Sequence, residues 1–190
     1  MTAAARPALD RDRLVAAAFA QLEEDGLEGL SMRRLAARLG VQAPALYWHV
    51  GDKAELLGLM ARDIHNSAYA AVPAAADWRG WLLGFGRALR AAFVAHRDGA
   101  RLCATAPGPA DPTGHAERIA APLVALGLDQ QRALACEASV ISFALGWASY
   151  EANGPMHAYL DAMLSFDASF DHGLTALVRG FEGPARDKAG

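Results

Sequence analysis

The apolar residues of this chain recur at intervals of three and four, the spacing of one face of an α-helix. Leu14, Val15, Ala18, Phe19 and Leu22 form one such face, and Met32, Leu35, Ala36 and Leu39 a second. Leu56, Leu59, Met60 and Ile64 form a third, and Phe170, Leu174, Leu177, Val178 and Phe181 a last. Alanine, the best helix former, fills 44 of the 190 positions. β-Branched residues are few, which argues against a sheet. The expected fold is all-α. The length suits one large or two small domains with a real core, and 53% hydrophobic with 21% charged residues is a globular composition.

Glycine, proline and capping residues cut the pattern into elements. A first helix over residues 9–25 stops at Gly26, as helices often end on a left-handed glycine. Ser31 caps a second, which Gly40 ends. A short third helix starts near Pro44 and runs to about His49. Asp52 and Glu55 are spaced as a capping box for a fourth, reaching about Tyr69. Residues 71–77, with Pro73, read as a linker. Helical patterns resume at 78–96, 116–126, 129–151, 156–166 and 169–181. Pro107, Pro109 and Pro112 mark one loop, and Asn153-Gly154-Pro155 another. The expected organisation is a flexible N-terminus (1–8), a helix-turn-helix domain (9–57), a larger helical domain (58–182) and a flexible C-terminus (183–190).

A net charge of −3 and a pI of about 6.0 argue against a globally basic nucleic-acid binder, but leave room for a local patch. Two cysteines, Cys103 and Cys136, neither make a disulfide framework nor hold a structural zinc alone. No N-terminal segment resembles a signal peptide, and no apolar run reaches the roughly 18 residues of a membrane span. The expectation is a cytoplasmic protein with no membrane partner.

The patch lies where two short helices flank Gly40-Val41-Gln42, a helix-turn-helix spacing. Leu46 and Val50 lie four apart and can pack on Leu35 and Leu39. Tyr47, Trp48 and His49 are consecutive, and successive helical residues point about 100° apart. Some of this aromatic surface must therefore face out. Tyr and His donate to phosphate, and ring faces pack on sugars and thymine methyls. Residues 31–53 carry Arg33, Arg34, Arg38 and Lys53 against Asp52, a local charge of +3 in a chain otherwise at −6. That is the footprint of phosphate contact. Lys53 also opens the fourth helix, whose free amides favour an anion.

Leu30-Ser31-Met32-Arg33-Arg34-Leu35-Ala36, Leu39-Gly40-Val41, Pro44-Ala45-Leu46-Tyr47-Trp48-His49-Val50 and Lys53-Ala54-Glu55-Leu56-Leu57 resemble the N-terminal domain of the TetR family of transcriptional repressors, its tetracycline-repressor branch above all. His96-Arg97-Asp98-Gly99-Ala100 resembles the segment before that branch's drug site. Gly173-Leu174 and Val178-Arg179-Gly180-Phe181-Glu182 resemble its last helix. The resemblance implies that Arg33, Gln42, Ala43 and Pro44 meet base edges of a double-stranded DNA operator. Tyr47, Trp48, His49 and Lys53 hold its backbone. Met32 and Ala43 replace polar readers, which implies a different operator.

The larger domain is expected to hold a small-molecule inducer. Aromatic and apolar residues are the candidates for its pocket: Tyr69, Trp81, Phe85, Phe143 and Trp147, with Trp78, Phe93 and Tyr150. The alternative for each is core packing. The resemblance adds Leu89, Cys103 and Thr105, and implies that the magnesium–tetracycline site of the branch is lost. Cys103 stands at the position of its metal-binding histidine, Ala106 at that of an arginine, Phe85 and Leu89 at those of an asparagine and a phenylalanine, and Tyr69 at that of another histidine. A thiol is a poor ligand for magnesium. The changes favour an apolar or polycyclic inducer, with a tetracycline-like drug or a signalling metabolite as the alternative. The six histidines show no HxxxH or HxH spacing, so no metal or cofactor is expected. His65 and His115 read as surface residues, with a polar ligand contact as the alternative.

The last two helices of the resemblance are the family's homodimer interface, here Ile141, Leu145, Phe170, Leu174, Leu177 and Phe181, with Ser142, Gly146 and Ser149 on a small-residue side. Intramolecular core is the alternative for these faces. Dimerisation suits DNA binding, since two recognition helices one turn apart read a palindrome. Two rival classes remain. An enzyme would use Cys103 with a nearby histidine, but no orienting acid flanks it. A helical protein-interaction module would leave the basic patch unused.

Overall fold

A computed structural model describes residues 9–182, so the two expected flexible termini, 1–8 and 183–190, lie outside the described residues. Among the described residues all regular secondary structure is helical.

The first four helices build the head and its stalk: α1 (Arg11–Gly29), α2 (Met32–Leu39), α3 (Ala43–Leu46) and α4 (Lys53–Ala70). Their starts follow the capping chemistry. Asp10, Ser31 and Asp52 each accept from a backbone amide three residues on. The box partner Glu55 reaches back to the Gly51 amide at 2.7 Å rather than to Asp52. Gly26 does not end α1. It adopts φ 71° and ψ 176°, kinks the helix, and one further turn follows. Gly40 closes α2 in the left-handed conformation. Leu14, Leu22, Leu35, Leu46 and Val50 are buried together, as the four-residue spacing of Leu46 and Val50 requires. The helix at α3 is shorter than expected, and 47–49 continue as turns, with the Val50 amide on the Leu46 carbonyl at 3.1 Å.

The body comprises α5 (Trp78–Val94), α6 (Gly99–Thr105), α7 (Pro112–Ala125), α8 (Gln130–Ala152), α9 (Gly154–Asp161) and α10 (Phe166–Gly180). α5 and α8 form its central pair. α4 packs on α5, α7 on α8, and α10 closes the opposite side of both central helices. Gly86 is where α5, α8 and α10 meet. A Cβ there would stand 2.7 Å from a Leu174 methyl and 3.2 Å from Val140. Arg90 fastens the same corner, bonding Glu151 at 2.8 Å and Asp167 at 2.8 Å over the Phe170 ring. The structure therefore corrects the reading of Phe170 and Leu174 as interface residues. Both are buried within their own chain. α8 is long and apolar enough, by length and composition, to cross a membrane, where no such run was expected; it is the helix on which α5, α7 and α10 pack.

One helix, α6, escaped the sequence reading, and the segment before it joins head to body. The His96 ring stacks on Phe19 with centroids 4.4 Å apart. The Arg97 guanidinium donates to the Glu24 carbonyl at 2.8 Å and to the Glu23 carbonyl at 3.2 Å. Asp98, at φ 56°, accepts from the Leu27 amide at 2.8 Å, just past the Gly26 kink. This His-Arg-Asp segment grips the end of α1. The following Gly99 has no room for a side chain, since a Cβ would lie 2.4 Å from the Phe93 carbonyl oxygen, a backbone atom that cannot turn aside. Gly99→Ala is expected to cost about 2 kcal/mol by overpacking. Thermal unfolding should then begin several degrees lower.

Candidate nucleic-acid interface and ligand cavity

The head presents its expected surface residues to solvent. Trp48 is 90% exposed and Tyr47 50%. Arg33, Gln42 and Pro44 are exposed, and Ala43, His49 and Lys53 partly so. The charge of this surface differs from the count along the sequence. Arg34 pairs with Asp25 at 2.9 Å, and Arg38 pairs with Glu24, both acids supplied by α1. Among the described residues Arg33 and Lys53 have no ion pair. The positive charge left for a phosphate or a base edge thus sits at the first turns of α2 and α4. The backbone behind them is braced: Arg11 of α1 donates to the His49 carbonyl at 3.1 Å and pairs with Glu55 at 2.9 Å.

A cavity of about 870 Å³ runs along α4. One face of that helix, from Glu55 through Gly58, Arg62 and His65 to Tyr69, forms one wall. The 106–110 loop and His115, Arg118 and Ile119 of α7 form the other, and Ile141 reaches in from α8. Of the expected pocket residues, Tyr69 and Cys103 line it. Trp81, Phe85 and Leu89 do not. They are buried behind the wall, where Phe85 stacks between Tyr69, at 4.6 Å, and Trp81, at 4.9 Å. Trp81 and Phe85 hold the Tyr69 ring rather than facing the cavity. Thr105 is exposed at the end of α6, with its hydroxyl on the Arg101 carbonyl.

The two sides of α8 are exchanged relative to the sequence reading. Phe143 and Trp147, expected in the pocket, pack on Phe170 and Phe166 of α10. Ile141, expected at a subunit interface, lines the cavity. Leu145, Leu177 and Phe181 remain half-buried.

Behind Tyr69 lies an acid the sequence reading missed. Glu137 is 1% exposed, and its Oε2 accepts from the Tyr69 hydroxyl at 2.7 Å. Among the described residues its Oε1 has no hydrogen-bond partner. Burial pushes this carboxyl up to about 7, against a weaker pull downward from the tyrosine bond. Burial, with the Glu137 charge, also raises the tyrosine. Burial likewise pushes the Cys103 thiol up to about 12, so it stays protonated at neutral pH and is no nucleophile. Nothing distinguishes Glu137 from a solvated glutamate along the sequence except the apolar residues surrounding it on α8.

Known proteins share both halves of this architecture. The pattern described as "Bacterial regulatory proteins, tetR family" matches residues 14–60, and that described as "Tetracyclin repressor-like, C-terminal domain" matches residues 72–163. The tetracycline repressor protein class E of Escherichia coli is 31% identical over 200 residues, covering 95% of this chain and 94% of that protein. The chain belongs to the tetR family of bacterial regulatory proteins. The class A repressor from transposon 1721 is 45% identical over 103 residues, 53% of this chain but only 48% of that protein, so this local match spans about half the relative's length. Among solved structures, a TetR variant of Acinetobacter baumannii AYE in complex with minocycline superposes with TM-score 0.75 at 33% identity, covering 92% and 97% of the two chains. BioQ with its double-stranded DNA operator gives TM-score 0.69 at 32% identity, covering 93% and 100%. TetR-family members are regulators of transcription, not enzymes.

Proposed function

We propose that this tetR-family chain is a ligand-responsive transcriptional repressor, acting in the cytoplasm as a homodimer on a palindromic DNA operator. The observation that carries the reading is the cavity along α4. The helix that walls the cavity at Tyr69 and Arg62 begins at Lys53, in the exposed head. A ligand between α4 and α7 would tilt α4 and with it the head. In a dimer this changes the separation of two α3 helices, and roughly 3 kcal/mol of coupling gives about a hundredfold loss of affinity. Dimerisation is supported by the side of α8 that its own chain leaves open. Ser142, Gly146 and Ser149 are exposed there, and small residues permit close approach. Within the head, Arg33 with 42–44 reads base edges, and Tyr47, Trp48, His49 and Lys53 hold the backbone.

The inducer we propose is not a magnesium–tetracycline chelate. Magnesium wants hard oxygen ligands and a negative surround. The cavity offers a protonated thiol at Cys103 and two arginines, Arg62 and Arg118, while its lining carboxylates are engaged, Asp52 on the Glu55 amide and Glu55 on Arg11. Labelled DNA from upstream of the gene, titrated by fluorescence anisotropy against a scrambled duplex, is expected to bind specifically. Anhydrotetracycline with magnesium is expected to leave that binding unchanged. Release by the drug would show that the changes at Cys103, Ala106, Phe85, Leu89 and Tyr69 do not destroy the site, and equal binding of both duplexes would refute the operator reading.

A further inference from the structure

Two arginines from two helices, with a histidine beside each, line the cavity together. Arg62 and His65 of α4 face His115 and Arg118 of α7, and all four line it. His115 is held below its usual value by burial and then by Arg118 and Arg62, against an upward pull from Asp111, and His65 by burial and then by His115. Arg118 Nη2 donates to His115 Nδ1 at 2.7 Å, which fixes that histidine neutral. Many arginines elsewhere take carboxylates. Arg11 pairs with Glu55, Arg34 with Asp25, Arg38 with Glu24, Arg87 with Asp171, Arg90 with Glu151 and Arg101 with Glu28. Among the described residues Arg62 and Arg118 have no carboxylate partner. The neighbouring acids are otherwise engaged or turned away. Of the two acids that line the cavity, Asp52 caps the Glu55 amide at 2.7 Å and Glu55 holds Arg11; Asp111 caps the Gly114 amide at 3.0 Å, and Asp63 and Glu117 do not line the cavity. Glu137 stands behind Tyr69 and carries little charge below about pH 7.

We infer that the cavity takes an amphipathic anion, a flat apolar body along Gly58, Ile119 and Ile141 whose carboxylate or phenolate docks between Arg62 and Arg118. The inference rests on the ligand-cavity reading above and narrows it from any apolar inducer to an acidic one. A guanidinium presents its donors as a planar fork matched to a carboxylate. Arg62 and Arg118 are both exposed at the cavity wall, and their charge-assisted bonds reach a charged group more strongly than a neutral amide.

The probes are 2-anthracenecarboxylate and its isosteric neutral 2-anthracenecarboxamide, titrated against the full-length protein and read by anthracene fluorescence. The carboxylate is expected to bind once per chain and at least about tenfold more tightly than the amide. Arg118→Met, and separately Arg62→Met, should bring the two affinities within about twofold of each other while leaving the amide's own affinity and the unfolding temperature nearly unchanged. Ile119→Trp, which narrows the cavity beside Ile141, should weaken binding of both. Equal affinity of the two probes for the wild-type chain overturns the anion inference but leaves the ligand cavity standing. So does a preference that survives both arginine substitutions. Binding of neither probe, or affinities for both that are unchanged in Ile119→Trp, overturns the inference together with the cavity reading beneath it.

Discussion

Arg33→Ala is expected to weaken operator binding by roughly 30- to 20,000-fold, since a guanidinium bonded to a guanine edge is worth about 1–3 kcal/mol and the proposed homodimer would make that contact twice. The neighbouring residue supplies the control. Arg34, beside it on α2, is already paired with the largely covered Asp25 carboxylate of α1, which holds its guanidinium away from a base edge. Arg34→Ala should therefore change affinity far less. Lys53→Ala should weaken binding to every sequence alike and lower the slope of log affinity against log salt by about one per subunit. Anisotropy titrations over a salt series, on the operator and on single-base variants of it, separate the two roles. If Arg33→Ala and Arg34→Ala lose affinity equally, the reading surface has been drawn in the wrong place.

The second large effect belongs to Glu137 and depends on pH. Its carboxyl titrates near 7 in the folded chain and near 4.5 when exposed. Between those values the folded chain holds a proton that the unfolded chain releases. This contribution to stability is complete below about pH 4.5 and is lost as pH rises through 7. Glu137→Gln keeps the Tyr69 hydroxyl bonded and carries no charge at any pH. It is expected to match wild type near pH 4 and to exceed it by up to about 3 kcal/mol at pH 8. Melting temperature measured from pH 4 to 9 reads this directly. Curves that stay parallel would show that the buried carboxyl does not titrate as described.

The helical skeleton was legible because its signals are local. Ser31, Asp52, Gly40 and the four-residue spacing of Leu46 and Val50 act on neighbours within a turn, and the structure uses each of them. What failed were questions of which element lies opposite. The net charge of 31–53 gave no sign that Asp25 and Glu24 would cross from α1 to neutralise Arg34 and Arg38. Helical period showed that Ile141 and Phe143 lie on different sides of α8, but not that α7 and the cavity stand by one and α10 by the other. Phe85 and Leu89 occupy positions that resemblance assigned to drug contacts, yet apolar side chains there sink into the core instead of lining a wall. α6 was missed because it is short and lacks a side-chain cap, Asp98 being spent on the Leu27 amide.

The grip of His96, Arg97 and Asp98 on the end of α1 means that the head is attached to the body twice, once through the unbroken stalk of α4 and once through this bracket. Two attachments remove most ways of moving. A hinged door has the same restriction, and it makes the swing reproducible. The stalk is about 27 Å long, so a tilt of about 5° about the bracket carries the far end through roughly 2 Å. Loosening the bracket, by contrast, would let the head wander. The same push inside the cavity would then disperse into many directions instead of one arc.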